Sequence, residues 1–278
     1  MKDYRAIEVT QSGQVATIRL RSLTELFKLD PPADPHMDIP LALEELRSDN
    51  SVRVIVITGE TDGEFLVPPS LEYYKSGRAT SRLANPNGAW NVGTGIVRTH
   101  QMMTEIEKPI IAKVNGDAIG FGQSILFSAD FVIARDDAVV ADGHLSMGDV
   151  VASDGTRTGT PFGVAPGDGA GALIPLFMTP PLAKEYMMLS RSLSTKELAE
   201  ARIINRAVPI ADLDSVTNDF VDGLLRRSAF ALAWTKRLLN RHVATQLNQT
   251  LDAGVAYEFL NLAQIAHTGL DGDPSTLG

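Results

Sequence analysis

Short apolar runs alternate with amphipathic segments along the first two thirds of the chain. Alternation around the polar turn at residues 11–14 predicts a β-hairpin over residues 4–20. Residues 52–59 form a nearly continuous apolar run that ends in glycine, which is typical of a strand covered on both faces. Similar patterns predict strands at 110–116, 131–134 and 139–141, and helices at 38–47, 94–107 and 120–129. This alternation of strands and helices predicts a layered α/β core.

Three stretches interrupt this pattern. Residues 21–38 contain Pro31, Pro32 and Pro35, so we expect no regular element there. Residues 60–95 are predicted to be mostly loop. Residues 145–162 are polar and rich in Gly, Thr and Asp, which favours an inserted surface loop or lid.

The last third of the chain is predicted to be mostly helical. An apolar helix begins at Ala170, and Ser194 with Glu197 fits the capping box of another helix. After Pro209 the pattern predicts helices at 212–227, 229–247 and 249–267. We therefore divide the chain into an α/β core, residues 1–208, and a C-terminal helical region, residues 209–278.

Composition narrows the classes of function. The chain has 278 residues, no cysteine and a formal net charge of -9, which argues against a nucleic-acid-binding surface and excludes cysteine-based zinc sites. No apolar run approaches the roughly 20 residues of a membrane-spanning helix. The first residues lack the apolar segment of a signal peptide. We expect a cytoplasmic enzyme that acts on a small molecule, with neither nucleic acid nor membrane as a partner.

The candidate chemistry begins at the turn Pro166-Gly167-Asp168-Gly169, which precedes an apolar helix. An acid in a glycine-rich turn can be held close to a substrate, and His144 lies one long loop upstream. A His–Asp pair is the usual way to make a general base from a neutral imidazole. Two alternatives stay open at this point: Asp168 could cap the following helix, and His144 could be a solvated loop residue.

The other histidines and acids carry weaker signals. No set of His and acidic residues has metal-ligand spacing, so we expect no metal site. His100, His242 and His267 match no catalytic pattern and are expected at the surface.

Several segments, in the correct order, resemble the crotonase (enoyl-CoA hydratase/isomerase) superfamily. They are residues 108–116, 120–122, 128–134, 163–169 and 193–209. The resemblance implies a spiral of repeated β-β-α units and a C-terminal helical region used for trimerisation, in a trimer or a dimer of trimers. It also implies an oxyanion hole that stabilises an enolate, and by position its backbone N–H donors would be Val67 and Phe121.

The resemblance does not extend to the two glutamates of the hydratases. Ser124 occupies the first position, and residues 156–162, where the second would fall, contain no acid. The pattern is closer to the branch of 6-oxocamphor hydrolase and related β-diketone hydrolases, which cleave a C–C bond in a retro-Claisen reaction without CoA. This likeness implies that His36, His144, Asp168 and Glu258 are the catalytic residues and that no cofactor is needed.

The chain departs from that branch at two positions. Phe121 replaces a histidine, and the pocket tryptophan near His36 is absent. The bulky residues Phe121, Val67 and Trp90 suggest an apolar substrate, with Trp90 lining the pocket. His36 could be a chance match in a Pro-rich loop, and Glu258, on an apolar helix, could be a solvated or interface residue.

Two alternative functions remain. The first is an acyl-CoA enzyme of the hydratase, isomerase or aryl-CoA dehalogenase type, in which Lys28, Lys75 and Arg78 would bind a CoA thioester substrate. The second is a family member without catalytic activity, because both hydratase acids are missing and both oxyanion positions carry bulky side chains.

Overall fold

The computed structural model describes residues 3–30, 33–70, 86–160 and 162–268. Its strands are β1 (Ile7–Ser12), β2 (Val15–Leu20), β3 (Val54–Gly59), β4 (Gly63–Leu66), β5 (Ile110–Val114), β6 (Gly116–Ile119), β7 (Phe131–Arg135), β8 (Val139–Ala141), β9 (Val150–Val151), β10 (Arg157–Thr158), β11 (Ser192–Ser194) and β12 (Arg206–Val208). Its helices are α1 (Leu23–Leu26), α2 (Pro35–Ser48), α3 (Pro86–Glu105), α4 (Phe121–Ser128), α5 (Ala170–Phe177), α6 (Pro180–Met188), α7 (Thr195–Glu200), α8 (Ile210–Leu225), α9 (Ala229–Leu239) and α10 (Arg241–Thr268).

Two sheets form the frame of the core. The larger has the order β1-β2-β3-β5-β7-β12, and all of its pairs are parallel except the β1–β2 hairpin. The smaller has the order β11-β8-β6-β4, with β4, β6 and β8 parallel. Every residue of β3 is buried, as its apolar run predicted.

The chain steps from the larger sheet to the smaller one three times, at β3–β4, β5–β6 and β7–β8, and returns through helical segments. This is the predicted spiral of β-β-α units. Asn115 stabilises the first two steps. Its buried side chain accepts hydrogen bonds from the Thr58 hydroxyl (3.2 Å) and the Gly59 amide (2.9 Å), and donates one to the Thr61 carbonyl (2.9 Å).

Two of the predicted loops contain helix. The short helix α1 lies within residues 21–38, and α2 begins at Pro35 because Asp34 caps it and proline is well tolerated at the first helical position. In the segment 60–95, β4 and the first turns of α3 are regular. The proline-rich and glycine-rich composition concealed these elements.

The stretch 145–162 is not simply a surface loop. Its two-stranded ribbon, β9–β10, places Val150 and Ala152 against Ile119 and Ala141 of the smaller sheet. The Thr158 hydroxyl donates to the Pro68 carbonyl over 2.9 Å. The ribbon therefore covers the end of the smaller sheet, where the candidate site lies.

The C-terminal helices follow the prediction, except that α9 ends at Leu239 and α10 runs without a break from Arg241 to Thr268. The predicted capping box at Ser194 and Glu197 is present. Helix α10 packs against α3 and α5, with Leu251 and Val255 buried, and so brings its middle turns to the core. Among the described residues, no helix is both long and apolar enough to cross a bilayer.

Candidate active site

Three of the four predicted catalytic side chains meet at the end of the smaller sheet. His144 follows β8, Asp168 lies in the turn before α5, and Glu258 is on α10. The Nε2 atom of His144 lies 3.6 Å from Oδ2 of Asp168 and 3.9 Å from Oε1 of Glu258. These side chains are only 11, 6 and 14% exposed, so neither His144 nor Glu258 is a solvated surface residue.

Asp142 orients His144, a role that the sequence analysis gave to Asp168. Both carboxylate oxygens of Asp142 lie 3.2 Å from Nδ1 of His144, and Oδ1 also accepts the His144 backbone N–H over 3.0 Å. Asp142 is 1% exposed. Its proximity in sequence was visible, but nothing in the sequence distinguished it from Asp168 as the partner of Nδ1.

The two glycines that flank Asp168 make room for other site residues. A Cβ on Gly167 would lie 2.6 Å from Oε2 of Glu258, and one on Gly169, whose φ is +114°, would collide with the ring of His100. Helix α5 is capped by Gly169 and receives no side-chain cap, so Asp168 does not serve as its N-cap. Instead, the Asp168 carboxylate accepts a hydrogen bond from the Ser124 hydroxyl over 3.0 Å.

His100, expected at the surface, is fully buried beneath this turn. Its Nε2 donates to the Asp168 carbonyl over 2.7 Å, and its Nδ1 lies 2.7 Å from the Ser128 hydroxyl. Ile96, His100 and Met103 form one buried stripe of α3 at helical spacing. That periodicity was the available signal, and all three residues lie within the predicted helix 94–107, but His100 was expected at the surface because it matched no catalytic pattern.

His36 is held at the start of α2. Oδ1 of Asp34 lies 2.6 Å from His36 Nδ1 and accepts the His36 backbone N–H over 3.0 Å. The His36 ring packs on Phe121, with centroids 3.9 Å apart and planes inclined by 31°. Gly95 allows α3 to approach the His36 carbonyl, which a Cβ there would strike.

The two predicted oxyanion donors lie on neighbouring segments. Phe121 is the first residue of α4, and Val67 follows β4 directly. A Cβ on Gly120 would lie 3.7 Å from Pro68, and one on Gly122 would strike the Leu66 carbonyl, so the two segments are in close contact. The Val67 amide also interacts with the Glu64 carboxylate, whose pKa is raised by burial and partly lowered by Ser22 and Val67.

Other predicted binding residues receive less support. The Trp90 side chain on α3 is 74% exposed, so it is not enclosed in a pocket of this chain. Lys28 forms an exposed 2.6 Å ion pair with Glu25. Lys75 and Arg78 lie outside the described residues.

The pKa values of His144 and Glu258 are both raised, but for different physical reasons. Burial opposes the charged form of His144, but the carboxylates of Asp168, Asp142 and Glu258 outweigh burial and raise its pKa well above the usual value. Burial raises the pKa of Glu258 to about 7, and the nearby His144 opposes that rise. The charge on each of these two groups therefore affects the pKa of the other.

The fold also brings together possible metal-ligand atoms that the spacing along the sequence did not indicate. One ligand atom each from Asp142, His144 and Asp168 lie within 4.8 Å of one another among the described residues. Asp142 and His144 follow β8 in one segment, but Asp168 comes from the turn before α5, and for this reason the spacing along the chain did not reveal the group. Each histidine nitrogen already faces a carboxylate.

Comparisons with known proteins agree with this architecture. The chain matches the family described as enoyl-CoA hydratase/isomerase over residues 13–270. It is 24% identical over 239 residues to the carnitinyl-CoA dehydratase of Escherichia coli K12, which covers 84% of this chain and 79% of that protein.

Solved structures share the fold at low sequence identity. An enoyl-CoA hydratase/isomerase from Mycobacterium paratuberculosis has a TM-score of 0.76 at 22% identity, covering 94% of this chain and 95% of that one. A β-diketone hydrolase from the cyanobacterium Anabaena sp. PCC 7120, bound to (S)-3-oxocyclohexyl acetic acid, has a TM-score of 0.76 at 19% identity, covering 95% and 96%.

Proposed function

The chain belongs to the enoyl-CoA hydratase/isomerase family, and we propose that within it the protein hydrolyses a C–C bond of a cyclic β-diketone without a cofactor. The observation that carries this proposal is the cluster of His144, Asp168 and Glu258, with Asp142 behind His144. It offers a histidine and two carboxylates, one of them the proton acceptor, to one water molecule. Ser124, at the first glutamate position of the hydratases, carries no carboxylate and donates its hydroxyl to Asp168.

The first step is attack of water on one carbonyl carbon of the diketone. We place the water between Nε2 of His144, Oδ2 of Asp168 and Oε1 of Glu258, which lie 3.6 and 3.9 Å from that nitrogen. The water oxygen forms the new C–O bond, and its proton passes to the Glu258 carboxylate, with His144 beside it. The carbonyl oxygen becomes an oxyanion, for which Phe121 at the N-terminus of α4 offers its backbone N–H.

The second step breaks the C–C bond. The electron pair of the bond moves to the α-carbon and its attached carbonyl, which gives an enolate and a carboxylic acid. His36, positioned on the Phe121 ring, hydrogen-bonds the enolate oxygen. The proton held by Glu258 returns to the α-carbon, so the product is a keto acid and no external oxidant or reductant is consumed.

The raised pKa of Glu258 fits this chemistry. A general base works best when its pKa lies near the working pH, and burial brings that of Glu258 to about 7. In the proposed reaction the carboxylate form is active. The kcat/KM for a diketone should therefore rise with pH through an apparent pKa near 7, and Glu258→Gln should remove that rise.

An acyl-CoA reaction is the second candidate, because the curated sequence relatives include carnitinyl-CoA dehydratases. In that reaction the same oxyanion donors would hold a thioester enolate. The Anabaena β-diketone hydrolase and the Mycobacterium paratuberculosis hydratase/isomerase share the fold at the same TM-score of 0.76, so the architecture is compatible with both candidates.

The deciding experiment compares the two substrate classes on the purified protein. Cyclic and bicyclic β-diketones are followed by loss of their absorbance without CoA, with crotonyl-CoA and carnitinyl-CoA assayed in parallel. We expect diketone cleavage that is lost in His36→Ala and Asp168→Asn and retained in Asp154→Asn, an exposed aspartate whose carboxylate accepts only a local amide over 2.8 Å. Turnover of a thioester alone would reject the hydrolase proposal.

We also propose that the chain assembles as a trimer or a dimer of trimers, as the resemblance implies. Several large apolar side chains of α9 and α10 are at least half exposed, as expected of helices that pack against another subunit. They are Phe230, Trp234, Leu238 and Leu260. Light scattering on the purified protein tests this, and a monomer at micromolar concentration would reject it.

A further inference from the structure

Two histidines of the site follow the same local pattern. Asp34-Pro35-His36 and Asp142-Gly143-His144 each place an aspartate two residues before a histidine. In both, one oxygen, Oδ1, accepts the backbone N–H of the histidine over 3.0 Å. The same oxygen lies 2.6 Å from Nδ1 of His36 in the first case and 3.2 Å from Nδ1 of His144 in the second.

We propose that Asp34 and Asp142 are matched positioning residues, which keep a hydrogen on Nδ1 of both histidines and direct both Nε2 atoms into the reaction site. For its catalytic meaning, this inference rests on the proposed hydrolase function. The geometry itself does not. Neither aspartate is placed to touch the substrate, so each acts through its histidine.

The physical basis is a two-point attachment. A carboxylate has no proton to donate at neutral pH, so the ring nitrogen that faces it must carry the hydrogen. Because the carboxylate also holds the amide of the same residue, the ring and its backbone are fixed relative to each other. Asp34 and Asp142 are 7 and 1% exposed, and a carboxylate so buried requires such donors.

The surroundings give each histidine a different task. Asp142 faces Nδ1 of His144, while Asp168 and Glu258 face Nε2. Asp34 faces Nδ1 of His36, the ring packs on Phe121, and the charge of His36 lowers the pKa of Glu258, so His36 lies close to that carboxylate. The first histidine faces the water beside the carboxylates, and the second faces the departing enolate.

The same turn elsewhere in the chain provides a matched control. Oδ1 of Asp49 accepts the Ser51 amide over 2.8 Å and the Ser51 hydroxyl over 2.6 Å, far from the site. The turn alone is thus an ordinary local device. What distinguishes Asp34 and Asp142 is the histidine in the third position together with burial of the carboxylate.

The test is nitrogen NMR of the imidazole rings in the folded protein. The chain has only 5 histidines, so the rings can be assigned by substitution. In the unchanged protein both His36 and His144 should carry the hydrogen on Nδ1. In Asp142→Asn the pKa of His144 should fall and its Nε2–H tautomer should appear, with His36 unchanged. Asp34→Asn should bring out the Nε2–H tautomer of His36 with His144 unchanged, and Asp49→Asn should change neither ring.

Activity gives the second readout. Loss of an orienting partner should lower kcat about 10- to 100-fold, by analogy with outer-shell partners of metal-bound histidines, with a smaller change in KM. Asp142→Glu keeps the charge and should retain the raised pKa of His144 better than Asp142→Asn. If Asp142→Asn does not fold, Asp34→Asn carries the same test in the other turn.

The outcomes separate this inference from the proposed function. Ring signals that follow the substitutions in a protein without diketone turnover would support the positioning role and reject the hydrolase. Diketone turnover in a protein whose ring signals are unchanged by Asp34→Asn and Asp142→Asn would support the hydrolase and overturn the positioning role.

Discussion

His100 and His144 lie on opposite sides of the Asp168 turn, and they differ in their partners and in the direction in which the pKa of each is shifted. Below the turn, His100 bonds the Asp168 backbone carbonyl and the Ser128 hydroxyl, and burial lowers its pKa. Above the turn, His144 faces the carboxylates of Asp142, Asp168 and Glu258, which raise its pKa despite burial. A buried histidine is neutral or charged according to whether its neighbours are dipoles or carboxylates.

The backbone and the side chain of Asp168 therefore have separate roles. The neutral imidazole of His100 fixes the backbone carbonyl, and the carboxylate faces His144 in the candidate site. Changes below the turn should therefore alter stability, and changes above it should alter activity.

The largest effect is expected from Asp168→Asn. The amide keeps the shape of the side chain and leaves the His100 bond to the backbone in place. It removes the charge that faces Nε2 of His144, so we expect activity to fall about 10²–10⁴-fold, the usual contribution of acid–base groups. The measurement is kcat/KM for the diketone beside the melting temperature. A fall in melting temperature that accounts for the lost activity would contradict the separation.

His100→Ala should produce the largest loss of stability. It leaves the Ser128 hydroxyl and the Asp168 carbonyl without their partner and opens a cavity in a fully buried site. We expect about 3 kcal/mol or more of lost unfolding free energy. Urea unfolding measures it, and His100→Gln, which retains a donor and more volume, should lose less.

Gly169→Ala tests the contact between the turn and His100. The φ of +114° disfavours any side chain, and the new Cβ meets the imidazole. We expect about 2–3 kcal/mol of destabilisation. Gly155→Ala, at φ +85° with nothing within 4 Å, should show the backbone cost alone. Combining Gly169→Ala with His100→Ala should cost less than the sum, and strict additivity would contradict the contact.

Glu258→Gln should stabilise the protein at alkaline pH. Burial raises the pKa of Glu258 from 4.5 to about 7, so the folded state holds a proton that the unfolded state releases between these values. The contribution of Glu258 to stability is therefore present below pH 4.5 and is lost as the pH rises through 7. We expect Glu258→Gln to be more stable by about 1–3 kcal/mol at pH 8.

The pH dependence gives this prediction its control. Near pH 4 the two proteins should converge in unfolding free energy, because Glu258 is then protonated in both states. Glu200→Gln, at an exposed position of α7, should follow the unchanged protein throughout. An advantage of equal size at pH 5 and pH 8 would contradict the raised pKa.

The smallest effects should come from two serines one turn apart on α4. Ser124 donates to the Asp168 carboxylate over 3.0 Å, and Ser128 lies 2.7 Å from Nδ1 of His100. Each alanine substitution should cost about 1 kcal/mol of stability. Only Ser124→Ala should also reduce activity. An equal loss of activity in Ser128→Ala would contradict the separate roles of the Asp168 side chain and backbone.

Much of the fold could be predicted because its signals are local. The apolar run of β3, the hairpin turn after β1 and the capping box at Ser194 each depend on residues close in sequence. Among the elements that were missed, α1, β4 and the first turns of α3 lie in segments whose prolines and glycines hide their periodicity. Resemblance supplied the order in which the β-β-α units follow one another.

The sequence by itself determined the α/β class and the family, because sequence motifs and hydrophobic periodicity can be recognised without knowing which residues are in contact. The resemblance also supplied the four candidate catalytic residues. Only the tertiary structure decided that Asp142 rather than Asp168 bonds Nδ1 of His144, and that His100 is buried beneath the turn. The physical reason is that burial and charge pairing belong to side chains brought together from distant segments. Neither property can be assigned to a residue before its neighbours in space are known.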